Sequence, residues 1–260
     1  MKKSLAIIAL AVSAMSISSC APGLSKADAK LQADAIQNNI ENSQMPAGEK
    51  FVYTYRVNRE TLSGGDRDAT HQEGYIHIDM QNLYARFHET YTETLVTSGA
   101  TTTATVEQTM LVYYKDSTIF TGELIKEDNV ITSNVTDSIQ TDTPKEAGQA
   151  ILGIYESVTN IFKTAISAIM AYVNSFYSDE QLKAAGVSFA SEGDGNLTII
   201  EKFNVTQGNV SRMGDTKISF DAYLLTEMKS IYENKVGNDI DKGDLLYKFQ
   251  YDECPINYNF

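Results

Sequence analysis

The sequence predicts an α+β fold: one large, curved antiparallel β-sheet with an N-terminal helix and a central helical insertion. Three observations predict it. The apolar period changes from 3.6 to two near Lys50, returns to 3.6 at Pro144, and is two again after Gly186. Between Ile151 and Phe176 a wide apolar stripe at helical spacing carries only Glu156 and Lys163 as charges. No internal repeat, linker or second composition class divides the chain beyond its opening segment, so one sheet and its covering helices form the economical solution.

The opening segment has the parts of an export signal: Lys2 and Lys3, an apolar stretch from Leu5 to about Ile17, and small residues before Cys20. That stretch is shorter than the roughly 20 apolar residues of a membrane span. The order Ile17-Ser18-Ser19-Cys20 resembles the lipobox of bacterial lipoproteins. The resemblance implies cleavage before Cys20, a diacylglyceryl thioether on its sulfur, and an acyl group such as palmitate on the new amino terminus. Residues 1–19 then form a lipoprotein signal peptide, 20–24 a lipidated tether, and 25–260 a single domain. Each buried methylene contributes about 0.8 kcal/mol, so several acyl chains hold such a chain permanently on a membrane. The expected location is an exported one, lipid-anchored at an outer membrane or cell surface.

Composition narrows the function classes. Asp and Glu number 34 against 21 Lys and Arg, a formal net charge of −13, and loss of residues 1–19 removes two lysines and no acid. A surface this acidic repels phosphate backbones and anionic headgroups, which argues against a nucleic-acid partner and leaves membrane attachment to the lipid on Cys20. Cys254 is the other cysteine. It reads as a small apolar residue near a strand end, and no disulfide framework is available.

The elements follow in order. Ser25-Lys26-Ala27-Asp28 is a capping box that starts a helix running to about Asn42, with a thin face of Ala27, Leu31, Ala35, Ile36 and Ile40 and a stop at Pro46. Phe51, Tyr53, Tyr55 and Val57 share one side of a strand that ends at the turn Ser63-Gly64-Gly65-Asp66. In IHIDMQNLYARFHE a turn at Gln81-Asn82 pairs Met80 with Leu83, Ile78 with Ala85 and Ile76 with Phe87 on an apolar face. The same turn pairs Asp79 with Tyr84, His77 with Arg86 and Tyr75 with His88 on a face expected to be wet. Strands follow over 106–114 and 119–124, and 125–142 reads mostly as a loop with a short edge strand at Val130-Ile131-Thr132. Thr143-Pro144-Lys145-Glu146 combines a capping box with proline at the first helical position. A second box at Ser178 starts a short helix that Gly186 ends. Strands are expected over 187–190, 197–205, 217–225, 228–235 and 245–251, the first two joined by a turn at Gly193-Asp194-Gly195-Asn196.

Three patterns do not amount to chemistry. His77 and His88 lie diagonally on one face, but Glu89 alternates to the other face and Arg86 stands beside His77, so no metal site is expected. Asn238 to Asp244 lacks the glutamate that closes an EF-hand and reads as a surface loop. The Gly193-Asp194-Gly195 stretch precedes no helix and cradles no phosphate. No catalytic signature is present, and the chain is expected to be a non-enzyme with no cofactor.

The element order, together with the address, resembles the lipoprotein-carrier superfamily of LolA- and LppX-like half-barrels. The resemblance spans 25–260 and is carried by element order rather than by a motif. It implies an open half-barrel whose concave face is covered by the N-terminal helix and the central helical insertion, with acyl chains bound between sheet and helices for transfer across an envelope space. On that reading Ile76, Ile78, Met80 and Phe87 of the sheet and Ile154, Val158, Phe162 and Ile169 of the central helix line a hydrophobic-ligand site, and the helix either caps the hollow or fills it. The expected function is a membrane-anchored envelope lipoprotein that binds a lipid or other hydrophobic ligand, with an envelope protein as a further partner. The alternative is a surface or periplasmic interaction module that binds protein or glycan.

Overall fold

The structure, a computed structural model, describes residues 23–260. Cys20, the lipobox and the signal segment lie outside the described residues. Helix α1 (Lys26–Asn42) leads into six strands, β1 (Lys50–Ser63), β2 (Asp66–Asp79), β3 (Tyr84–Thr97), β4 (Ala100–Lys115), β5 (Thr118–Glu127) and β6 (Val130–Gln140). Helices α2 (Lys145–Ser175) and α3 (Asp179–Ala184) follow. Strands β7 (Val187–Ala190), β8 (Leu197–Gln207), β9 (Val210–Asp221), β10 (Leu224–Val236) and β11 (Asp239–Tyr251) complete the chain. All eleven strands belong to one antiparallel sheet in the order β6-β5-β4-β3-β2-β1-β11-β10-β9-β8-β7. Two meanders therefore meet where β1 pairs with β11, and the sheet stays open between β6 and β7. The expected fold class is the observed one.

Local chemistry explains most boundaries. The Ser25 hydroxyl accepts from the Asp28 backbone N–H at 3.1 Å and caps α1, and the Ser178 hydroxyl accepts from the Gln181 N–H at 3.3 Å and caps α3. The hairpin register around Gln81-Asn82 is as expected, with Ile78 opposite Ala85, Ile76 opposite Phe87 and His77 opposite Arg86. Several boundaries differ from expectation. Residues 217–225 are two strands, broken at Ala222-Tyr223, where both residues adopt the left-handed φ of a two-residue hairpin turn without the usual Asn-Gly cue. The short edge strand expected at Val130-Ile131-Thr132 extends through residues read as loop to Gln140, and Asp239 to Asp244 belong to β11. Helix α2 has no side-chain cap, because the Thr143 hydroxyl bonds Thr141 at 3.2 Å instead.

One apolar core lies between the sheet and the helices. Phe51, Tyr53, Ile78, Ala85, Val112, Ile199, Ile218 and Phe249 face Ile151, Tyr155, Val158, Phe162, Ile166 and Ile169 of α2. Helix α1 joins the core through Ala29, Ala33, Ile36 and Ile40, a stripe rotated from the expected one, so Leu31 is 67% exposed. The small side chains Ala29 and Ala33 let α1 lie close to its neighbours, a role that an apolar count along the helix does not reveal.

Candidate functional site

The residues expected to line a ligand hollow are brought together, but as a packed interior. Ile78, Phe162 and Ile169 are fully buried and Val158 nearly so, while Ile76, Met80 and Ile154 pack partly buried against the same cluster. Phe87 is half-buried between Ile76 and Met110 on the flanking strands. Phe162 meets Phe249 edge-on with ring centroids 5.0 Å apart, and Tyr155 meets Phe51 at 5.8 Å. The Tyr155 hydroxyl accepts from the Ala47 N–H at 2.8 Å, which satisfies the one polar atom of that side chain inside the core. Helix α2 thus occupies the space beneath the sheet along its near half.

The far half of the sheet carries a groove of about 720 Å³. Its walls come from seven strands, β1, β2, β3, β8, β9, β10 and β11. Ladder registry assigns Asn58, Glu60, His71, Ile231, Lys242 and Asp244 to the face opposite the core, since Tyr53 and Val57 point to the helices and alternate residues point away. Residues of the alternate row line the groove as well. Phe203, Gly214, Tyr232 and Gly243 form one row across β8 to β11, and a Cβ on Gly214 would lie 2.5 Å from the Phe203 ring, a Cβ on Gly243 2.5 Å from that of Tyr232. Each aromatic ring lies over its neighbour's bare backbone, where a side chain would collide with it.

The groove is amphipathic. Ile231 and Met213 are each 43% exposed at its wall. Beside them Glu60 is held by Arg67 at 3.2 Å and Lys242 at 3.2 Å, and the Arg67 guanidinium foremost keeps its carboxyl below the ordinary range. Asp244 pairs with Arg56 at 3.3 Å, and the His71 imidazole bonds the Asn58 side-chain oxygen at 2.5 Å. These ion pairs flank an apolar strip, an arrangement suited to holding a ligand with a greasy body and polar ends. None of these residues was a candidate from sequence. The legible signal is the alternation of an aromatic residue with a glycine one strand away, and it becomes visible only once the pairing of β8 to β11 is known.

A second cluster corrects the expected wet face of the β2–β3 hairpin. Asp79 and Tyr84 are completely buried and Arg86 nearly so, because residues 252–260 lie across that face. Arg86 donates to the backbone carbonyls of Asn257 and Asn259 and to the Tyr75 hydroxyl. Tyr258 packs on Tyr113 at 4.6 Å and on Tyr84 at 6.0 Å, with the Lys115 ammonium over its ring. Tyr75 stacks between His77 at 4.5 Å and His88 at 5.2 Å. Burial lowers the pKa of both imidazoles, and Arg86 lowers them further. Cys254 sits half-buried at the head of this tail, its thiol pushed up to about 11 by burial foremost, which makes it a weak nucleophile.

No family model matches the chain, and no curated protein matches it. Among solved structures it is similar to a β-barrel-like protein of the DUF1849 domain of unknown function from Brucella abortus, at 8% identity and a TM-score of 0.27, over 78% of this chain and 100% of that one. It is also similar to the translocator domain of the autotransporter NalP from Neisseria meningitidis, at 7% identity and a TM-score of 0.17, over 85% and 93% of the two chains. A DUF1329 family protein from Desulfovibrio piger matches at 10% identity and a TM-score of 0.14, over 86% and 91%. These scores lie below the level at which a common fold is inferred, and the fold described above rests on the chain's own strand ladder.

Proposed function

We propose that this chain is an exported, lipid-anchored envelope protein that binds a lipid or another amphiphile without transforming it, and that the ligand occupies the groove on the far half of the sheet rather than the space beneath α2. The observation that carries the reading is the 720 Å³ groove itself, a volume within the range of about 300 to 1,000 Å³ typical of small-molecule sites, with an apolar strip flanked by ion pairs. Glu60 and Asp244 are both held in ion pairs, which favours binding over a role as base for these two carboxylates. The export and anchoring half of the proposal rests on the order Ile17-Ser18-Ser19-Cys20.

Binding of a fluorescent long-chain fatty acid to the intact lipoprotein in detergent tests the ligand half. Ile231→Asp puts a charge on the apolar strip and should weaken binding about tenfold or more, while Phe162→Ala, in the packed core, should leave affinity unchanged in whatever fraction stays folded. Wild-type protein that fails to bind the probe, or binding lost with Phe162→Ala and kept with Ile231→Asp, overturns the groove assignment. The anchor is tested by palmitate labelling of cells that make the Cys20→Ala chain. Loss of label is expected, and undiminished label overturns the lipoprotein reading.

A further inference from the structure

The sheet has two open edges, and they are treated differently. The free side of β7 is four residues long and receives a backbone hydrogen bond from Leu24 N–H to the Phe189 carbonyl at 2.9 Å. The free side of β6 runs for eleven residues, and among the described residues no backbone hydrogen bond reaches it. Exposed edges are normally guarded by lysine or proline. This one, VITSNVTDSIQ, has neither, and carries a single charge, Asp137, in a chain of net charge −13. Val130, Val135 and Ile139 stand 65%, 58% and 49% exposed along it.

The spacing of these three residues is the informative feature. Val130 lies five residues before Val135 and Ile139 lies four after it, which by count alone is lopsided. The ladder to β5, however, contains a bulge at Thr132, and it seats Val130 opposite Glu127, Val135 opposite Glu123 and Ile139 opposite Ile119. The bulge absorbs the odd residue. Val130 and Ile139 therefore stand four ladder positions on either side of Val135, all three on one face, and Ser133 and Asp137 stand two positions on either side.

We propose that two copies of this chain pair β6 with β6, antiparallel about a two-fold axis through Val135, so that their sheets run on into one another. Around that axis Val135 meets its own counterpart, Val130 of one copy lies opposite Ile139 of the other, and Asp137 lies opposite Ser133 rather than opposite another acid. A strand that served an unrelated partner would have no need of this symmetry, whereas an isologous contact requires a surface complementary to itself. The near absence of charge has the same rationale: two strongly acidic molecules can approach along the one long edge where their like charges do not confront each other.

The test is site-directed disulfide formation in cells that make the full lipidated chain, with Cys254→Ser as background. Val135→Cys places two sulfurs on the axis, where facing Cα atoms at about 4.5 to 5.5 Å suit a disulfide. Mild oxidation should give a homodimer in at least tenfold greater yield than Ile131→Cys, an exposed residue on the same strand whose two copies would lie roughly 20 Å apart at about 3.4 Å per ladder position. A mixture of Val130→Cys and Ile139→Cys chains should give the mixed dimer. Equal yields from Val135→Cys and Ile131→Cys, no dimer from either, or an adduct with the mass of another protein each overturns the proposal. Sedimentation of the detergent-solubilised chain with Cys254→Ser alone supplies a second readout. Dimer is expected there and monomer after Val135→Lys, and a dimer that survives this lysine also overturns it.

Discussion

Asp79 shows how far one side chain can depart from what its neighbours in sequence suggest. Alternation puts it on the polar face of its strand, yet it is fully buried, where it accepts from the Asn82 backbone N–H at 2.9 Å and the Asn82 side-chain amide at 2.8 Å and pairs with Lys50 at 3.6 Å. Burial by itself would raise its carboxyl pKa, but the Asn82 and Lys50 contacts outweigh burial and hold it below the usual value. Asp79→Asn is therefore expected to cost about 1 to 3 kcal/mol, read from denaturant midpoints at neutral pH, rather than the negligible cost of a surface change. The sign of the pH effects follows from the two directions. Asp79 has a depressed folded pKa, so its contribution is present above the unfolded carboxylate range and is lost as pH falls through the folded value. His77 and His88 also have depressed folded pKa values, so below about 6.5 the unfolded chain binds protons that the folded one refuses, and stability falls with acidification in that higher window. Midpoints measured between pH 7.5 and about 5 should decline for wild type. The decline should flatten when both histidines are replaced by glutamine.

At the scale of elements, α2 decides what the concave face of the sheet can hold. Its stripe of Ile151, Tyr155, Val158, Phe162, Ile169 and Val173 is buried without interruption along the helix. Phe162→Ala should carry the full cost of a cavity in a close-packed core, about 3 to 5 kcal/mol, and should cost the same before and after detergent extraction of lipid. A smaller cost that grows on delipidation would return the ligand to the helix–sheet interface. The tail is the other deciding element. Tyr258→Ala removes a ring from Tyr84, Tyr113 and Lys115 and should cost about 1 to 2 kcal/mol in thermal or denaturant unfolding.

At the scale of the molecule, one sheet serves two roles: its apolar side packs on α2, and seven of its strands line the groove. Glycines mark where strands bend or approach closely. Gly74 is one such case, because a Cβ there would lie 2.3 Å from the His88 carbonyl oxygen and 2.7 Å from the Tyr55 hydroxyl. That hydroxyl in turn donates to the Glu89 carboxylate. The carbonyl is backbone and cannot swing aside, so Gly74→Ala should destabilise by about 1 to 3 kcal/mol despite its small volume. Denaturant titration with the Tyr55→Phe variant as a comparison separates the steric cost from loss of the Tyr55–Glu89 bond.

By itself the sequence determined whatever depends on neighbours a few residues apart. The caps at Ser25 and Ser178, the stripe of α2, the order of helices and strands, and the registry of the hairpin at Gln81-Asn82 all follow from period and turn chemistry, whose causes lie within one or two turns of chain. Tertiary structure alone decided the rest, because its causes come from far along the chain. Tyr84 and Arg86 became interior only when Asn257 and Tyr258 crossed them, the groove draws its lining from strands as far apart in the sheet as β3 and β8, and the symmetry of β6 about Val135 appears only when its bulge against β5 is counted. Alternation along a strand states which side chains share a face; what covers that face is settled by whichever distant segment gains most by lying there.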